Sequence, residues 1–327
     1  MLEHGGRLRQ AALQYDRPID DWLDLSTGIN PDGWVVPALP EAVWSRLPED
    51  NDGLEQAARD YYETDCLLPV AGSQAAIQML PRLRSRGRVG VLAPGYAEHA
   101  HAWQRAGHEV VEVSATSVDE LIDQLDVLVL INPNNPTGVF FLPDHLLQWH
   151  EQLLQRGGWL VVDEAFMDVT PEYSLTRYSP RTGLIVLRSL GKFFGLAGAR
   201  VGFVCAALEL LDQIRDLLGP WMVSAPARWV AHTALRDGIW QEETRWYLRQ
   251  QGIRLHSLLI RHGWNVEGDC ALFQWSKTVQ AETIKQQLAQ QGILIRVFDE
   301  PASLRLGLPG EEQGWLRLDG VLTGLQL

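Results

Sequence analysis

The sequence predicts an α/β protein with a large domain, whose mostly parallel sheet is covered by helices, and a small α+β domain on the carboxyl-terminal side. Short, continuously apolar runs such as Val127–Ile131 and Leu184–Leu187 suit strands that are buried on both faces of a parallel sheet. Amphipathic stretches alternate with these runs, as expected for helices that cover such a sheet. The 327 residues are too many for one small core and suit a large domain plus a smaller one.

Three regions are predicted along the chain. Residues 1–45 show little periodicity and are expected to form an arm that joins the small domain. Residues 46–239 form the large domain, with predicted strands at Val89–Leu92, Val127–Ile131, Leu160–Val162, Leu184–Leu187 and Val201–Val204. Its predicted helices are Ser73–Arg84, Glu98–Gly107, Pro143–Arg156, Asp212–Leu218 and Pro226–Arg236. Residues 240–327 form the small domain, in which a long helix, Gln241–His262, precedes strands in "ALFQWSK", Gly292–Val297 and "SLRLGL" around a helix at Ala281–Gln291.

The composition disfavours several kinds of partner and site. The net charge of −13 comes without a basic block, which argues against nucleic acid and anionic membranes as partners. No apolar run reaches the roughly 18 residues of a membrane span, and the polar segment Met1–Gln14 lacks a signal-peptide core. Cys66, Cys205 and Cys270 lie far apart, which argues against a disulfide framework or a zinc site. We therefore expect a cytoplasmic protein that contains no metal.

Two motifs that follow predicted strands are rich in turn-forming residues. In "VAGSQAA" the Gly72–Ser73 step opens a helix, where backbone N–H groups and a hydroxyl can bind a phosphate. Taken alone, that step is better explained as an ordinary serine cap. In "NPNNPTG", two prolines and a glycine fix a rigid loop, and a cis bond before Pro136 would aim the Asn135 amide inward.

Two further motifs place charges at strand ends. In "VVDEAF" a hydrophobic strand ends at Asp163, whose carboxylate either meets a cationic or hydrogen-bonding partner or caps the next segment. In "SLGKFFGLAG", Lys192 lies between small residues, with Ser189 before it and Arg200 after it. Only three of the 28 basic residues are lysines, which indicates that this position requires an amine rather than a charge alone.

The four motifs together predict one cofactor. A neutral amine nucleophile has to be a lysine, because a guanidinium stays protonated. A carboxylate at a strand end can keep a pyridine nitrogen protonated, and a Gly–Ser step, a further serine and an arginine can bind a phosphate. An aldehyde, a pyridinium ring and a phosphate occur together in pyridoxal 5′-phosphate.

In its order of motifs, Gly-Ser-Gln, "NNPTG", "DEA" and "SxxK…GxAGxRxG", the sequence resembles the aspartate-aminotransferase fold type of pyridoxal-phosphate enzymes, fold type I, over roughly residues 20 to 310. The resemblance implies that Lys192 bonds to the cofactor aldehyde, Asp163 pairs with the ring nitrogen and Asn135 donates to the ring 3′-oxygen. Tyr96 would stack on the ring. The residues that would hold the cofactor phosphate, at the loop that includes Gly72, are Ser73, Gln74, Ser189 and Arg200. The resemblance also implies a homodimer with the site at the subunit boundary.

Within that family the amino-terminal motifs distinguish two branches. "HGG" at His4–Gly6, "LDLSTGINPDG" at Leu23–Gly33 and "DEAF" resemble the branch that decarboxylates L-threonine O-3-phosphate in cobalamin biosynthesis. The alternative is the histidinol-phosphate aminotransferase branch, which usually has "DEAY". Both branches act on a small phosphorylated amino compound. A binding module or sensor without enzymatic activity is disfavoured. Regulators of that kind carry a DNA-binding module, and the chain has neither a basic block nor a helix-turn-helix pattern.

Four residues are predicted to bind the substrate. The family pattern implies that Arg305, in "SLRLGL", binds the substrate α-carboxylate, and Arg296, in "LIRVF", would then bind its phosphate. An arginine can hold either anion with two hydrogen bonds. Spacing alone also allows both arginines to be surface charges on strands. His4 and Asn30 in the arm are expected to help orient the substrate.

Three positions depart from the family pattern. Phe166 replaces a tyrosine whose hydroxyl usually reaches the ring 3′-oxygen, and His99 replaces a tyrosine found in many histidinol-phosphate relatives. "LPEDNDGLEQ" has no tyrosine where family members supply one to the neighbouring subunit's cofactor phosphate, although Asp52 lies nearby. No residue of this sequence is therefore assigned to that contact.

Overall fold

The computed structural model describes residues 4–325, with the side chain of Asp269 outside the description. Close contacts divide these residues into two compact units. The larger unit contains Gly33–Asn135 and Val139–Glu243. The smaller unit contains the described residues up to Asp32, residues 136–138 and those from Thr244 onward. The division at residues 45 and 240 that the sequence suggests stays a prediction.

The regular elements are numbered in chain order. The strands are β1 Leu23–Asp24, β2 Leu67–Val70, β3 Arg88–Leu92, β4 Glu109–Val113, β5 Val127–Ile131, β6 Trp159–Asp163, β7 Leu184–Ser189, β8 Gly202–Cys205, β9 Val266–Cys270, β10 Phe273–Lys277, β11 Ile293–Leu294, β12 Arg296–Phe298 and β13 Ser303–Gly307. The α-helices are α1 Leu8–Gln14, α2 Ala42–Ser45, α3 Leu54–Tyr62, α4 Ser73–Met79, α5 Glu98–Arg105, α6 Val118–Leu121, α7 Pro143–Leu154, α8 Leu208–Leu218, α9 Ala225–Leu235, α10 Gly238–Arg261, α11 Ala281–Gln290 and α12 Glu312–Thr323.

The described part of the larger unit is built on a seven-stranded sheet in the order β2-β8-β7-β6-β5-β3-β4. Strands β4, β3, β5, β6 and β7 run parallel to one another, and β8 pairs antiparallel with both β7 and β2. Every residue of β5 is buried, as expected for a strand with helices on both faces of the sheet. The prediction of a mostly parallel, helix-covered sheet is confirmed.

The helices of this unit show why their sequences fold as they do. Helix α7 starts with Pro143, whose missing N–H costs nothing in the first turn. It buries Leu146, Trp149 and Leu153, which lie on one face at helical spacing. Helix α4 is shorter than predicted, because Pro81 lacks the N–H that an α-helix needs, and the chain continues as a 3-10 turn at Leu80–Leu83.

The described part of the smaller unit contains a four-stranded antiparallel sheet in the order β12-β13-β10-β9. A separate parallel pair joins β1 to β11, so that Leu23 lies opposite Ile293. The amino-terminal segment is held to this unit by strand pairing, and by the packing of Ala11 and Trp22 against Ala289. Among residues 4–325, no helix is both long and apolar enough to cross a membrane.

Candidate active site

Four adjacent parallel strands of the large sheet, β3, β5, β6 and β7, end at the same edge. Ile131 and Asp163 lie in register at the ends of β5 and β6, and Asp163 pairs with Leu187, two residues before the end of β7. Three predicted motifs follow or end these strands: "NPNNPTG" after β5, "DEAF" from the end of β6, and "SLGK" from the end of β7. The loop after β3 carries Tyr96. The carboxyl edge of such a sheet is where ligands bind in open α/β folds.

Asp163 is 4% exposed and has two hydrogen-bond partners. Its Oδ1 accepts a bond from the Ala165 N–H at 3.0 Å, so Asp163 does fix the turn that follows. Its Oδ2 lies 3.0 Å from Nε2 of His99, which is 2% exposed in α5. Because an ionised carboxylate only accepts, the imidazole N–H donates. This contact satisfies a buried charge that an apolar setting would otherwise disfavour.

Tyr96 is held by a chain of polar side chains from two elements. Its hydroxyl donates to Oε1 of Gln74 at 3.3 Å, and the Gln74 amide donates to Glu98 at 2.9 Å. Burial raises the pKa of Tyr96 to about 12, and the charges of Glu98 and Asp163 add to that shift. The hydroxyl therefore stays protonated at neutral pH. In this arrangement the side chain of Gln74 orients Tyr96.

The loop with Asn135 is fixed from both sides. The buried side chain of Asn132 exchanges two 2.9 Å hydrogen bonds with the backbone of Phe141, and the amide of Asn134 donates to the carbonyl of Pro94 at 2.9 Å. The second bond ties this loop to the loop that carries Tyr96. The cis bond that the sequence allows before Pro136 is not formed: among the described residues, the cis bonds precede Pro94, Pro133 and Pro301.

Arg200 lies against the start of α4. A Cβ added to Gly72 would fall 2.6 Å from Nη2 of Arg200, so the guanidinium lies close against the Gly72 backbone. Gly72 also has a φ of +76°, which favours glycine. A Cβ on Gly202 would fall 2.6 Å from the backbone nitrogen of Ser73. Arg200 and β8 therefore both lie close to the backbone at the start of α4. Ser73 is the first residue of α4 rather than its cap.

Lys192 is half-buried three residues beyond the end of β7. Its Nζ lies 5.4 Å from the centre of the Phe166 ring, which is 2% exposed. Ser189 ends β7, and its Oγ accepts a bond from the Gly191 N–H at 3.2 Å. The hydroxyl of Ser189 therefore helps to shape the turn that positions the lysine.

A buried ion cluster, which was not predicted from the sequence, joins β7 to the turn after β6. Arg188 of β7, which is 1% exposed, donates to Glu164 and to Asp168 at 2.6 Å each. Glu164 also accepts bonds from the N–H of Leu175 and the hydroxyl of Ser174. Burial raises the pKa of Glu164. Burial alone would lower the pKa of Arg188, but the charges of Asp168 and Glu164 outweigh it and raise that pKa well above its usual value.

In the smaller unit, Arg296 and Arg305 lie directly opposite each other on β12 and β13. Arg305 is 5% exposed, so it is not a surface charge. Its Nη2 donates to the carbonyl of Ser26 at 2.5 Å, and its guanidinium carbon lies 5.2 Å from the centre of the Phe273 ring. Burial lowers the pKa of Arg305 to about 10, and the charge of Arg296 adds to the shift. Two adjacent cations of this kind favour an anionic ligand.

The two arm residues differ in their surroundings. His4 is half-buried at the start of the described chain. Asn30 is 3% exposed, and its side chain accepts from the N–H of Asp32 and donates to the Asp32 carbonyl. These bonds make Asn30 a residue that shapes its own loop. Asp52, near the place where relatives supply a tyrosine, binds Arg228 through two 2.7 Å hydrogen bonds.

Two functional features were missed from the sequence. His99 follows Tyr96 by only three residues, and the two rings lie 6.2 Å apart. This closeness along the chain was the signal that could have linked His99 to the site. Arg188 ends an apolar run, where a charge needs a buried partner, but no spacing identified Glu164 or Asp168 as that partner.

The residues at this edge fit the predicted cofactor. Its aldehyde requires an amine, which Lys192 has, and its ring nitrogen requires a carboxylate, here that of Asp163 beside the His99 imidazole. Its ring face can stack on an aromatic side chain such as Tyr96, and its phosphate can bind Arg200 beside Gly72. All of them belong to the larger unit.

The chain is similar to known proteins along its whole length. The family model for aminotransferase class I and II matches residues 21–319. A threonine-phosphate decarboxylase of Pseudomonas aeruginosa is 57% identical over 326 residues, covering 100% of this chain and 98% of the relative. Another threonine-phosphate decarboxylase, of Sinorhizobium, is 40% identical over 333 residues, covering 100% and 99%. The crystal structure of a histidinol-phosphate aminotransferase from Sinorhizobium meliloti, in complex with pyridoxal-5′-phosphate, superposes with a TM-score of 0.84 at 18% identity and covers 100% of this chain and 99% of that one.

Proposed function

The chain belongs to the class I and II aminotransferase family, and from that premise we propose that it is a pyridoxal-phosphate-dependent decarboxylase of L-threonine O-3-phosphate. The product is (R)-1-amino-2-propanol O-2-phosphate, for cobalamin biosynthesis. The observation that carries this conclusion is the similarity, along the whole chain, to threonine-phosphate decarboxylases. It favours decarboxylation over the alternative, amino transfer by a histidinol-phosphate-type enzyme.

The large unit would hold the cofactor. Lys192 would bond to its aldehyde, Asp163 would keep the ring nitrogen protonated, and Tyr96 and Asn135 would contact the ring and its 3′-oxygen. The residues proposed for its phosphate are Gly72, Ser73, Gln74, Ser189 and Arg200. When bound, the cofactor supplies a sink for the electron pair of the bond that breaks at the substrate Cα.

The chain's own residues determine which bond breaks. Arg305 would bind the substrate carboxylate and Arg296 its phosphate, because a guanidinium can hold either anion with two hydrogen bonds. His4 and Asn30 would help to fix the substrate in that orientation. When the carboxylate leaves as CO2, a proton has to be added to Cα, and the Nζ of Lys192 is the proposed donor. Orientation of this kind contributes to the rate only if the bound geometry is already close to the reactive one.

The cellular setting is part of the proposal. We place the enzyme in the cytoplasm as a homodimer, with a small phosphorylated amino acid as substrate and neither nucleic acid nor a membrane as partner. The net charge of −13 supports the last point, since both surfaces are polyanionic.

The test is the release of CO2 from L-threonine O-3-phosphate without any 2-oxoacid. We expect one CO2 for each aminopropanol phosphate formed. Conversion of the cofactor to pyridoxamine phosphate, together with a need for an amino acceptor, would support the aminotransferase instead.

A matched pair of variants tests the role of Lys192. Lys192→Arg keeps the positive charge but lacks a nucleophilic amine, so activity should fall by more than about 1,000-fold. Borohydride should then no longer attach the cofactor to the protein. Lys277→Arg is the control, since Lys277 forms a surface pair with Glu267 at 2.7 Å. Attachment of the cofactor to the Lys192→Arg protein would overturn the assignment.

A further inference from the structure

The loop that carries Lys192 is held by a residue far away in the sequence. Within the loop, the N–H of Gly195 donates to the Lys192 carbonyl at 3.2 Å. The carbonyl of Phe194, the residue before Gly195, accepts a bond from the backbone N–H of Trp34 at 2.9 Å. Trp34 therefore contacts the loop only two residues beyond the lysine.

The side chain of Trp34 is itself anchored. Trp34 is 8% exposed, and its Nε1–H donates to Oδ2 of Asp237 at 3.0 Å. The other oxygen of Asp237 accepts from the N–H of Trp240 at 3.2 Å, in the first turn of α10. The ring of Trp240 stacks on that of Phe194, with 5.5 Å between their centres. One carboxylate thus fixes both Trp34 and the tryptophan that packs on the lysine loop.

The residue before Trp34 lies directly against the same loop. Gly33 is the last residue of the motif "LDLSTGINPDG". A Cβ added to Gly33 would fall 3.0 Å from both the carbonyl oxygen of Phe194 and the Cα of Gly195. Carbon atoms in contact are ordinarily about 3.5–4.0 Å apart. A methyl group at position 33 would therefore press on the backbone of the lysine loop.

The bond between Lys192 and the cofactor depends on where this loop holds the amine. A neutral Nζ attacks the aldehyde carbon, a carbon–nitrogen double bond forms, and one water leaves with the aldehyde oxygen and the two amine hydrogens. The equilibrium of this step depends on the effective concentration of the amine, and a misplacement of about 1 Å can cost about 100-fold in a reaction between positioned groups.

On the basis of the proposed function, we propose that Trp34 is a positioning residue, which together with Gly33 holds the loop so that the Lys192 amine reaches the cofactor aldehyde. Trp34 touches neither cofactor nor substrate in this proposal. It acts only through the Phe194 carbonyl and the backbone that leads back to the lysine.

Two forms of the cofactor separate this role from a general effect on the fold. Pyridoxal phosphate has the aldehyde that bonds to Lys192. Pyridoxamine phosphate has the same ring and phosphate but no aldehyde. A change that misplaces the amine should therefore weaken only pyridoxal phosphate, whereas a loss of structure should weaken both. Quenching of tryptophan fluorescence in the full chain freed of cofactor measures both dissociation constants, and Lys192→Arg defines complete loss of the bond.

Trp34→Phe keeps an aromatic ring but loses the N–H that binds Asp237. We expect its dissociation constant for pyridoxal phosphate to rise by about 10-fold, with that for pyridoxamine phosphate unchanged. Gly33→Ala presses a methyl group on the Phe194 carbonyl and should have the same selective effect. It decides the question if Trp34→Phe folds poorly.

Each variant has a matched control. Trp149→Phe also breaks a bond from an indole to a carboxylate, since Trp149 donates to Asp119 at 2.7 Å. Gly320→Ala also adds a methyl group, but a Cβ at Gly320 would meet nothing within 4 Å. Both controls should bind the two forms of the cofactor as the wild type does.

The two hypotheses fail in different ways. If Lys192→Arg keeps the wild-type preference for pyridoxal phosphate over pyridoxamine phosphate, the role of Lys192 in the proposed function is wrong. If Lys192→Arg loses that preference, but Trp34→Phe and Gly33→Ala weaken both forms equally or weaken neither, the positioning role of Trp34 is wrong.

Discussion

Asp163 is held by two partners of different origin. The Ala165 N–H belongs to the same turn, so this bond follows from the local backbone. His99 comes from α5 and reaches the other carboxylate oxygen. The imidazole can therefore be replaced without changing the turn, and its separate contribution to cofactor binding can be measured.

Replacing His99 should weaken cofactor binding. In His99→Phe the buried carboxylate loses its side-chain donor, and hydrogen bonds to charged groups contribute about 1.5–3 kcal/mol, so we expect a dissociation constant about 10- to 100-fold higher. His99→Gln retains an N–H and should lose less. Quenching of tryptophan fluorescence by added pyridoxal phosphate measures the constant. His101→Phe is the control, because His101 lies exposed on the same helix. Equal affinity in His99→Phe and the control would contradict a role for His99.

At the scale of elements, the Arg188 cluster joins β7 to the turn after β6. The carboxyl groups of Glu164 and Asp168 share the Arg188 guanidinium, and each of these side chains is no more than 1% exposed. Tyr61 of α3 donates to Asp168 at 2.9 Å, and Arg188 lies 4.7 Å from the ring of Tyr62, so the helix contributes as well. Such a cluster is costly to break, because each remaining member is then buried without its counter-charge.

Arg188→Met should lower the free energy of unfolding by about 3–5 kcal/mol, since it strands Glu164 and Asp168. Adding Glu164→Gln and Asp168→Asn removes the stranded charges and should restore part of the loss. Urea unfolding followed by circular dichroism gives both values. Arg177→Met is the matched control, because Arg177 is 43% exposed in its pair with Glu63 and should contribute less than about 1 kcal/mol. If Arg188→Met lowers the free energy of unfolding by no more than Arg177→Met does, the cluster does not stabilise the fold.

Helices α3 and α9 are joined by a second ionic contact, and this one titrates. Arg228 of α9 binds Asp52, just before α3, and Glu55 within it. Burial alone would raise the pKa of Asp52, but the hydrogen bond from Arg228 and the charge of that arginine outweigh it and lower the pKa below 3.8. The unfolded chain therefore binds more protons than the folded protein around that pH, and stability rises with pH there.

Asp52→Asn should remove this pH dependence. The contribution of Asp52 is fully present above about pH 5 and is lost as the pH falls through its lowered pKa. We expect the free energy of unfolding of the wild type to exceed that of Asp52→Asn by about 1 kcal/mol at pH 7 and by progressively less below pH 4. Urea midpoints from pH 7 to pH 3.5 measure the difference. Asp60→Asn serves as control, since Asp60 only accepts a bond from Gln56. A difference that grows on acidification would have the wrong sign.

At the scale of the whole molecule, the fold could be predicted because its determinants are local. The apolar runs of β5 and β7 identify buried strands, and residues that directly follow parallel strands meet at one edge of the sheet. Lys192 and Asp163 could be assigned for that reason. The rarity of lysine in the chain gave the same indication for Lys192.

What could not be predicted depends on partners that are distant in sequence. Asp163 and His99 are 64 residues apart, and Arg188 is 24 residues from Glu164. No local pattern selects one histidine of nine, or one carboxylate among many, as the partner. Helix α4 shows the opposite case, since Pro81 was visible in the sequence and its effect on the helix end is local.

The proposed reaction divides its binding groups between the two units: cofactor groups in the larger one, and the facing Arg296 and Arg305 in the smaller one. The charged form of Arg305 is destabilised, because burial and the neighbouring cation lower its pKa to about 10. A bound anion would offset that cost. The two kinds of binding should therefore be separable by mutation.

Arg296→Gln should raise the KM for threonine phosphate by about 10- to 100-fold, since a charge-assisted bond to the substrate phosphate is lost. The same change should leave turnover of unphosphorylated threonine and the affinity for pyridoxal phosphate close to those of the wild type. Arg305→Gln should raise the KM for both substrates, because both carry the α-carboxylate. Arg200→Gln should instead weaken the binding of pyridoxal phosphate. Steady-state kinetics with the two substrates, alongside cofactor titration, measures all three variants. If Arg296→Gln impaired threonine and threonine phosphate equally, Arg296 would not bind the phosphate, and the arginine pair would act on the carboxylate alone.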